Sequence, residues 1–233
     1  MPASLDRHWA VIPAAGIGKR MQADAPKQYL PVAGKPILQW TLEALLGWGF
    51  LERVIVALHS DDTYFEKLQL ASSAGIGTVV GGDERSDSVL AGLQALQGKA
   101  DPMDWVWVHD AARPCVDLTD VETLRDALGE DDVGGLLALP VADTVKLAGE
   151  DGRVSQTLDR TQLWLAQTPQ VFRFGALYDA MAQANKEGWL ITDEASAIER
   201  SGASPLLVEG SASNIKITRP QDIAFAAAAL RQD

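Results

Sequence analysis

A single cysteine, Cys115, stands in 233 residues, so no intrachain disulfide framework can form and a reducing, cytoplasmic setting is the simpler expectation. Positive charge is also short. Twenty Lys and Arg against 32 Asp and Glu give a formal charge of −12. General binding to nucleic acid or to an anionic membrane needs broad positive surfaces, and this balance speaks against both. Met1–Trp9 holds no apolar stretch of signal-peptide length, and no run of about 18 apolar residues occurs, so no membrane span is expected. Internal repeats, low-complexity tracts and Pro/Ser-rich linkers are missing too. Apolar residues, in contrast, are plentiful at 47%, enough for a substantial core without metal or disulfide staples. The question left open is where the scarce basic residues lie.

Short apolar runs alternate with longer amphipathic stretches. Strands are predicted at Ala10–Pro13, Arg53–Leu58, Thr78–Val80, Trp105–His109, Gly135–Pro140 and Leu206–Glu209. Several read as continuous apolar runs, which suits strands buried on both faces of a parallel sheet. Helices are predicted at Pro36–Trp48, Asp61–Leu70 behind a Ser60 cap, Arg85–Leu96 and Thr119–Leu128, the last with Thr119 and Glu122 at capping-box spacing. Thr218 and Gln221 repeat that spacing before an alanine-rich helix running to about Arg231. Strands alternating with helices imply βαβ units, hence an α/β fold: a Rossmann-like three-layer sandwich with a mostly parallel central sheet. Val141–Asp159 breaks the rhythm with two polar-apolar strands, Asp143–Leu147 and Arg153–Leu158, around Ala148–Gly152. This is a β-hairpin signal. The economical organisation is one domain over residues 1–233 with a projecting hairpin arm at about 141–160; an ordinary surface hairpin fits the spacing equally well.

The most informative segment runs from Val11 to Met21: an apolar strand, then Pro13-Ala14-Ala15-Gly16-Ile17-Gly18-Lys19-Arg20, with Pro26-Lys27-Gln28 following. Small residues let the backbone approach a ligand, and successive N–H groups form an anion-binding concavity to which Lys19, Arg20 and Lys27 add full charges. Glycines after strands are often mere turns, and the neighbouring cations favour the phosphate reading. Two familiar phosphate loops are excluded. The dinucleotide fingerprint needs a third glycine where Met21 stands, and Gly18-Lys19-Arg20 fails the Walker A pattern.

This loop resembles the nucleotide-binding signature of nucleotidyltransferases that make activated alcohols and sugars. Further segments, in order across nearly the whole chain, are similar to the methylerythritol-phosphate cytidylyltransferase family of non-mevalonate isoprenoid synthesis. They are Gly81–Val89, His109–Pro114, Asp143-Thr144-x-Lys146, Asp159-Arg160, Thr168-Pro169-Gln170, Thr192–Ala195 and Asn214–Thr218. The resemblance implies attack by the phosphate of 2-C-methyl-D-erythritol 4-phosphate on the α-phosphorus of CTP, with pyrophosphate leaving. An anionic nucleophile needs charge neutralisation and alignment in place of a strong base. Among catalytic groups it implies Arg20, Lys27, Arg160 and Lys216. For CTP it implies Pro13, Ala14, Ala15, Gly16, Gly18, Lys19 and Lys27, with Gly82, Asp83 and Ser88 reading base and ribose. For the acceptor it implies Asp110, Ala111, Arg113, Thr144, Arg160, Thr168 and Lys216. In that family the arm crosses to a second subunit, so a homodimer with shared sites is expected, Thr144 and Arg160 serving the neighbour.

Asp110 follows an apolar run at the carboxyl end of a predicted core strand, where open α/β sheets place ligands. A carboxylate there suits Mg²⁺ or another divalent cation, with a local cap as the lesser reading. His109 reads as a packed, hydrogen-bonded residue. Cys115 reads as a small buried one. Two positions depart from the family: Lys19, where arginine is also common, and Ser213, where relatives often carry a carboxylate. A cytidylyltransferase for another polyol phosphate, such as ribitol 5-phosphate, is the nearest alternative. An idle nucleotide-binding protein would lack Arg20, Lys27 or Asp110, and all three are present. Seven basic residues, Lys19, Arg20, Lys27, Arg85, Arg113, Arg160 and Lys216, fall in the expected site. That site is expected to be locally positive.

Overall fold

The computed structural model describes residues 6–16, 21 and 25–231. Strand β1 (His8–Ala14) is followed by a two-residue hairpin, β2 (Pro31–Val32) and β3 (Lys35–Pro36), then helix α1 (Ile37–Gly47). Next come β4 (Leu51–Leu58), β5 (Ile76–Val80), α2 (Arg85–Leu96), β6 (Trp105–Val108), α3 (Leu118–Ala127) and β7 (Gly134–Pro140). A separate hairpin, β8 (Val145–Ala148) and β9 (Val154–Leu158), precedes β10 (Trp164–Arg173), α4 (Phe174–Glu187), α5 (Glu194–Arg200), β11 (Leu206–Glu209) and α6 (Asp222–Ala229).

Seven strands form one sheet in the order β11-β7-β10-β6-β1-β4-β5. All neighbours are parallel except β10, which runs antiparallel to both β6 and β7. The two-residue period of the strands divides the core into two faces. Ala10, Ile12, Val54, Val56, Trp105, Trp107 and Val171 pack with Leu38, Leu42 and Leu45 of α1 and Val121 and Leu124 of α3. Trp9, Val11, Ile55, Val106, Val108 and Phe172 pack instead with Val89 and Leu93 of α2, Leu177 of α4 and Ile198 of α5. Each fully buried leucine of this kind stabilises the fold by about 1.5–3 kcal/mol. The three-layer α/β sandwich is as expected.

Several local expectations are corrected. Asp61–Leu70 forms no α-helix; only a 3-10 turn at Phe65–Lys67 is present. The Asp62 carboxylate accepts hydrogen bonds from the Tyr64 and Phe65 amides and from the Tyr29 hydroxyl, fixing a turn that the ladder does not continue. Helix α3 is capped by Asp117, which accepts from Thr119 N–H at 2.7 Å, so Thr119 is the capped residue and not the cap. At α6 the Asp222 carboxylate, not a Thr218 cap, takes the amides of Thr218 and Arg219. Strand β10 and helices α4 and α5 were not anticipated.

The hairpin β8–β9 is its own two-stranded sheet, with Leu147 and Val154 exposed. Its root is the end of the β7–β10 pair, where Val141 N–H donates to Leu163 at 3.0 Å and Pro140 stands opposite Trp164.

Candidate active site

After β1 the chain builds outward through β4 and β5, then returns to place β6 on the other side of β1. The carboxyl ends of β1 and β6 therefore flank a topological switch point, the place where open sheets bind ligands. Asp110 lies just past β6 and is almost fully buried. Three cations meet its carboxylate: Arg85 Nε donates to Oδ1 at 2.9 Å, while Lys216 Nζ at 2.8 Å and Arg113 Nε at 3.4 Å reach Oδ2. Burial alone would push this carboxyl up; Arg85, Lys216 and Arg113 outweigh it and hold it well below the ordinary range.

A chain of hydrogen bonds fixes the backbone around Asp110. Its N–H donates to Thr168 Oγ1 at 2.9 Å, that hydroxyl lies 3.1 Å from His109 Nδ1, and His109 Nε2 lies 3.0 Å from the Arg113 carbonyl. A carbonyl only accepts, so Nε2 carries the proton and Nδ1 accepts from the hydroxyl. Burial pushes His109 down to about 4, which keeps the imidazole neutral at neutral pH. The packed reading of His109 holds. Thr168 reaches this position because the β10 register slips between Ala166 and Gln170, the kind of irregularity that re-aims a side chain. Asn214 ties the next loop in: its carbonyl accepts from Arg113 Nη1 at 2.6 Å, and its amide donates to the Thr168 carbonyl at 2.9 Å.

Arg85 opens α2 and also grips Glu194, the first residue of α5, through Nη1 at 2.6 Å and Nη2 at 3.0 Å. Glu194 is completely buried. Burial would lower the Arg85 guanidinium, but Glu194 and then Asp110 hold it above the ordinary arginine value.

Two cavities share this cluster. The first, about 260 Å³, is lined by Pro13, Ala14, Ala15, Gly16, Lys27, Gln28, Asp83, Glu84, Arg85, Ser88, Asp110, Ala111, Ala112 and Lys216. The second, about 270 Å³, is lined by Arg85, Asp110, Arg113, Ala166, Gln167, Thr168, Gln170, Thr192, Asp193 and Lys216. Arg85, Asp110 and Lys216 belong to both. Gly82 N–H donates to Ser88 Oγ at 3.2 Å at the rim. At Gly81 a Cβ would come within 2.8 Å of Ala15 and 2.7 Å of the Ser88 hydroxyl, so only glycine lets these two loops meet. Lys27 Nζ donates to the Ile217 carbonyl at 3.3 Å, and Gln28 holds the Ala14 carbonyl at 2.6 Å.

Most anticipated residues thus converge. Gly18, Lys19 and Arg20 lie outside the described residues. Thr144 and Arg160 stand apart at the exposed foot of the arm and line neither cavity. Glu194 was not among the expected site residues, although it falls in the family-like segment Thr192–Ala195. The expected positive charge rests also on Lys19 and Arg20, which lie outside the described residues. Among the described residues, four cations (Lys27, Arg85, Arg113, Lys216) and four carboxylates (Asp83, Glu84, Asp110, Asp193) line the two cavities. This described part of the lining is balanced in charge.

Nor does Asp110 fit the expected role of metal ligand. Both its oxygens are taken by cationic side chains, and a divalent ion there would face three positive charges. Among the described residues no group of three or more His, Cys, Asp or Glu side chains converges as a metal site. No described helix is long and apolar enough to cross a membrane.

Comparison with known proteins follows the same line. The family profile of 2-C-methyl-D-erythritol 4-phosphate cytidylyltransferase matches residues 8–232. A protein of that name from Pseudomonas aeruginosa (strain UCBPP-PA14) is 51% identical over 222 residues, covering 95% of each chain. Another from Ectopseudomonas mendocina (strain ymp) is 53% identical over 220 residues, covering 94% of each. The crystal structure of the Francisella tularensis 2-C-methyl-D-erythritol 4-phosphate cytidylyltransferase superposes with a TM-score of 0.84 at 35% identity, covering 96% of this chain and 99% of that one.

Proposed function

The chain belongs to the 2-C-methyl-D-erythritol 4-phosphate cytidylyltransferase family, and from that membership we propose that it joins CTP to 2-C-methyl-D-erythritol 4-phosphate. The products are 4-diphosphocytidyl-2-C-methyl-D-erythritol and pyrophosphate. One observation carries the assignment of the site: two cavities of similar size meet at Arg85, Asp110 and Lys216. A reaction between two phosphates needs two adjoining pockets with a cation at the junction.

In this reading CTP occupies the first cavity, its phosphates along Pro13–Gly16, Gly18 and Lys19, and its base and ribose against Gly82, Asp83 and Ser88. The acceptor occupies the second, with Asp110, Ala111, Arg113 and Thr168 about its polyol. A phosphate oxygen of the acceptor attacks the α-phosphorus, and the bond to the β-phosphate breaks with its electron pair going to pyrophosphate. Arg20, Lys27 and Lys216 neutralise charge that develops on the α-phosphoryl group; preorganised donors of this kind are each worth about 3–4 kcal/mol. A divalent cation such as Mg²⁺, if it enters with the nucleotide, would supply further neutralisation of the triphosphate without Asp110 as its ligand. Thr144 and Arg160 act on the site of a second subunit, which makes a homodimer the active form. Residues 1–233 form one nucleotidyltransferase domain bearing a dimerisation arm, working in the cytoplasm.

The test is pyrophosphate release with Mg²⁺, each of the four nucleoside triphosphates, and a panel of polyol phosphates including ribitol 5-phosphate. Release is expected with CTP and 2-C-methyl-D-erythritol 4-phosphate. Its absence with that pair would overturn the reading.

A further inference from the structure

Lys216 stands at the junction of the two cavities, and its position is set from behind. Its ammonium is held at 2.8 Å by Asp110 Oδ2, and the other oxygen of that carboxylate is held by Arg85 Nε at 2.9 Å. Arg85 in turn commits its two terminal nitrogens to Glu194. Three sides of the guanidinium fork are therefore spent on two carboxylates, and the planar geometry of the fork fixes one relative to the other.

Two further features make this arrangement more than packing. Arg85 opens α2, where the helix dipole favours an anion and disfavours a cation. Glu194 sits at the start of α5, completely buried, where the same dipole favours its charge. The mismatch at one helix start is offset by the match at the other. Without Glu194, Arg85 would be free to turn toward phosphate or solvent, and Asp110 would lose the contact that sets its plane.

We infer that Glu194 is a positioning residue: through Arg85 and Asp110 it places the Lys216 ammonium for the chemical step. This inference rests on the proposed role of Lys216 at the α-phosphoryl group. Glu194 lines neither substrate cavity, so its loss should act on turnover and leave nucleotide capture nearly intact.

The experiment compares Glu194→Gln, which keeps shape and removes charge, with Glu194→Asp, which keeps charge and shortens the reach. Both are measured in the full chain for kcat, for KM toward CTP, and for thermal unfolding. Glu194→Gln should lower kcat by about 10- to 100-fold, the cost of a misplacement near 1 Å, with KM for CTP within about threefold. Glu194→Asp should show a smaller loss of the same kind, and it carries the test if the glutamine variant does not fold. Adding Glu194→Gln to Lys216→Gln should cost no more than about twofold further, because the two act through one group. An unchanged kcat in the variants, a loss confined to KM, or a full independent loss in the Lys216→Gln background overturns the inference. These measurements use whichever triphosphate and polyol phosphate the unsubstituted protein turns over, so failure of the substrate assignment is seen separately in that control.

Discussion

At the scale of single residues, protonation of His109 links the site to stability. The imidazole is buried, donates to the Arg113 carbonyl, and is pushed from its ordinary value of 6.5 down to about 4. His8, whose Nδ1 accepts from Trp107 Nε1 at 2.9 Å, is pushed down to about 4 as well, chiefly by burial. Above pH 6.5 native and unfolded chains both hold His109 neutral. Below it the unfolded chain gains a proton that the native site refuses, so stability falls as pH falls toward 4. His109 alone should remove about 2 kcal/mol between pH 7.5 and pH 5. Urea unfolding at the two values measures the loss. Imidazole nitrogen NMR should show the Nε2–H tautomer unchanged over the range; titration of His109 near 6.5 would contradict the assigned network. Asp110 adds a loss of the same sign: its native value is depressed, so the unfolded carboxyl protonates first and stability falls as pH drops from about 4 into the strongly acidic range.

At the scale of elements, the arm is the part the rest of the fold can do without. Val141 and Leu163 are already hydrogen-bonded neighbours at its root, so a tight Asn-Gly turn could replace residues 142–162 without moving β7 or β10. The shortened protein should keep its melting temperature within a few degrees and sediment as a monomer. Turnover should fall at least about 100-fold, as expected when a phosphate grip is lost. A dimeric or fully active product would reject the arm as the shared element. The hairpin was legible in sequence because its turn residues and alternation are local. Strands β1, β4, β6 and β7 were legible for a similar reason, being short and apolar on both faces. Strand β10 was not, because Gln167 and Pro169 interrupt it where Thr168 is turned to Asp110. Asp61–Leu70 misled because its spacing suggests a helix while Asp62 captures the backbone instead. That Pro13–Gly16 and Asp110 line a common cavity could be anticipated from the residues beside them. The Arg85–Glu194 pair, 109 positions apart, could not: Thr192–Ala195 stands out by resemblance, but nothing local says which side chain Glu194 meets.

At the scale of the whole molecule, the charge of −12 and the balanced lining of the two cavities pose one problem. A site for a triphosphate and a phosphomonoester needs net positive charge, and four carboxylates offset the four cations that the described lining supplies. The deficit is met, in the proposed reading, by Lys19 and Arg20 of the glycine loop and by Arg160 from a second subunit. A two-fold dimer makes that testable by mixing. Lys216→Gln breaks the site in its own subunit, and Arg160→Ala breaks the site its arm serves. In the mixed dimer both lesions then fall on one site, and the other is intact. Coexpressed at equal amounts, two nearly inactive variants should recover ~25% of unsubstituted turnover, because half the dimers are mixed and half their sites are whole. If each subunit instead completed its own site with its own arm, every site in the mixture would carry one lesion. Recovery would then be absent, and Arg160 would have to be assigned to its own subunit.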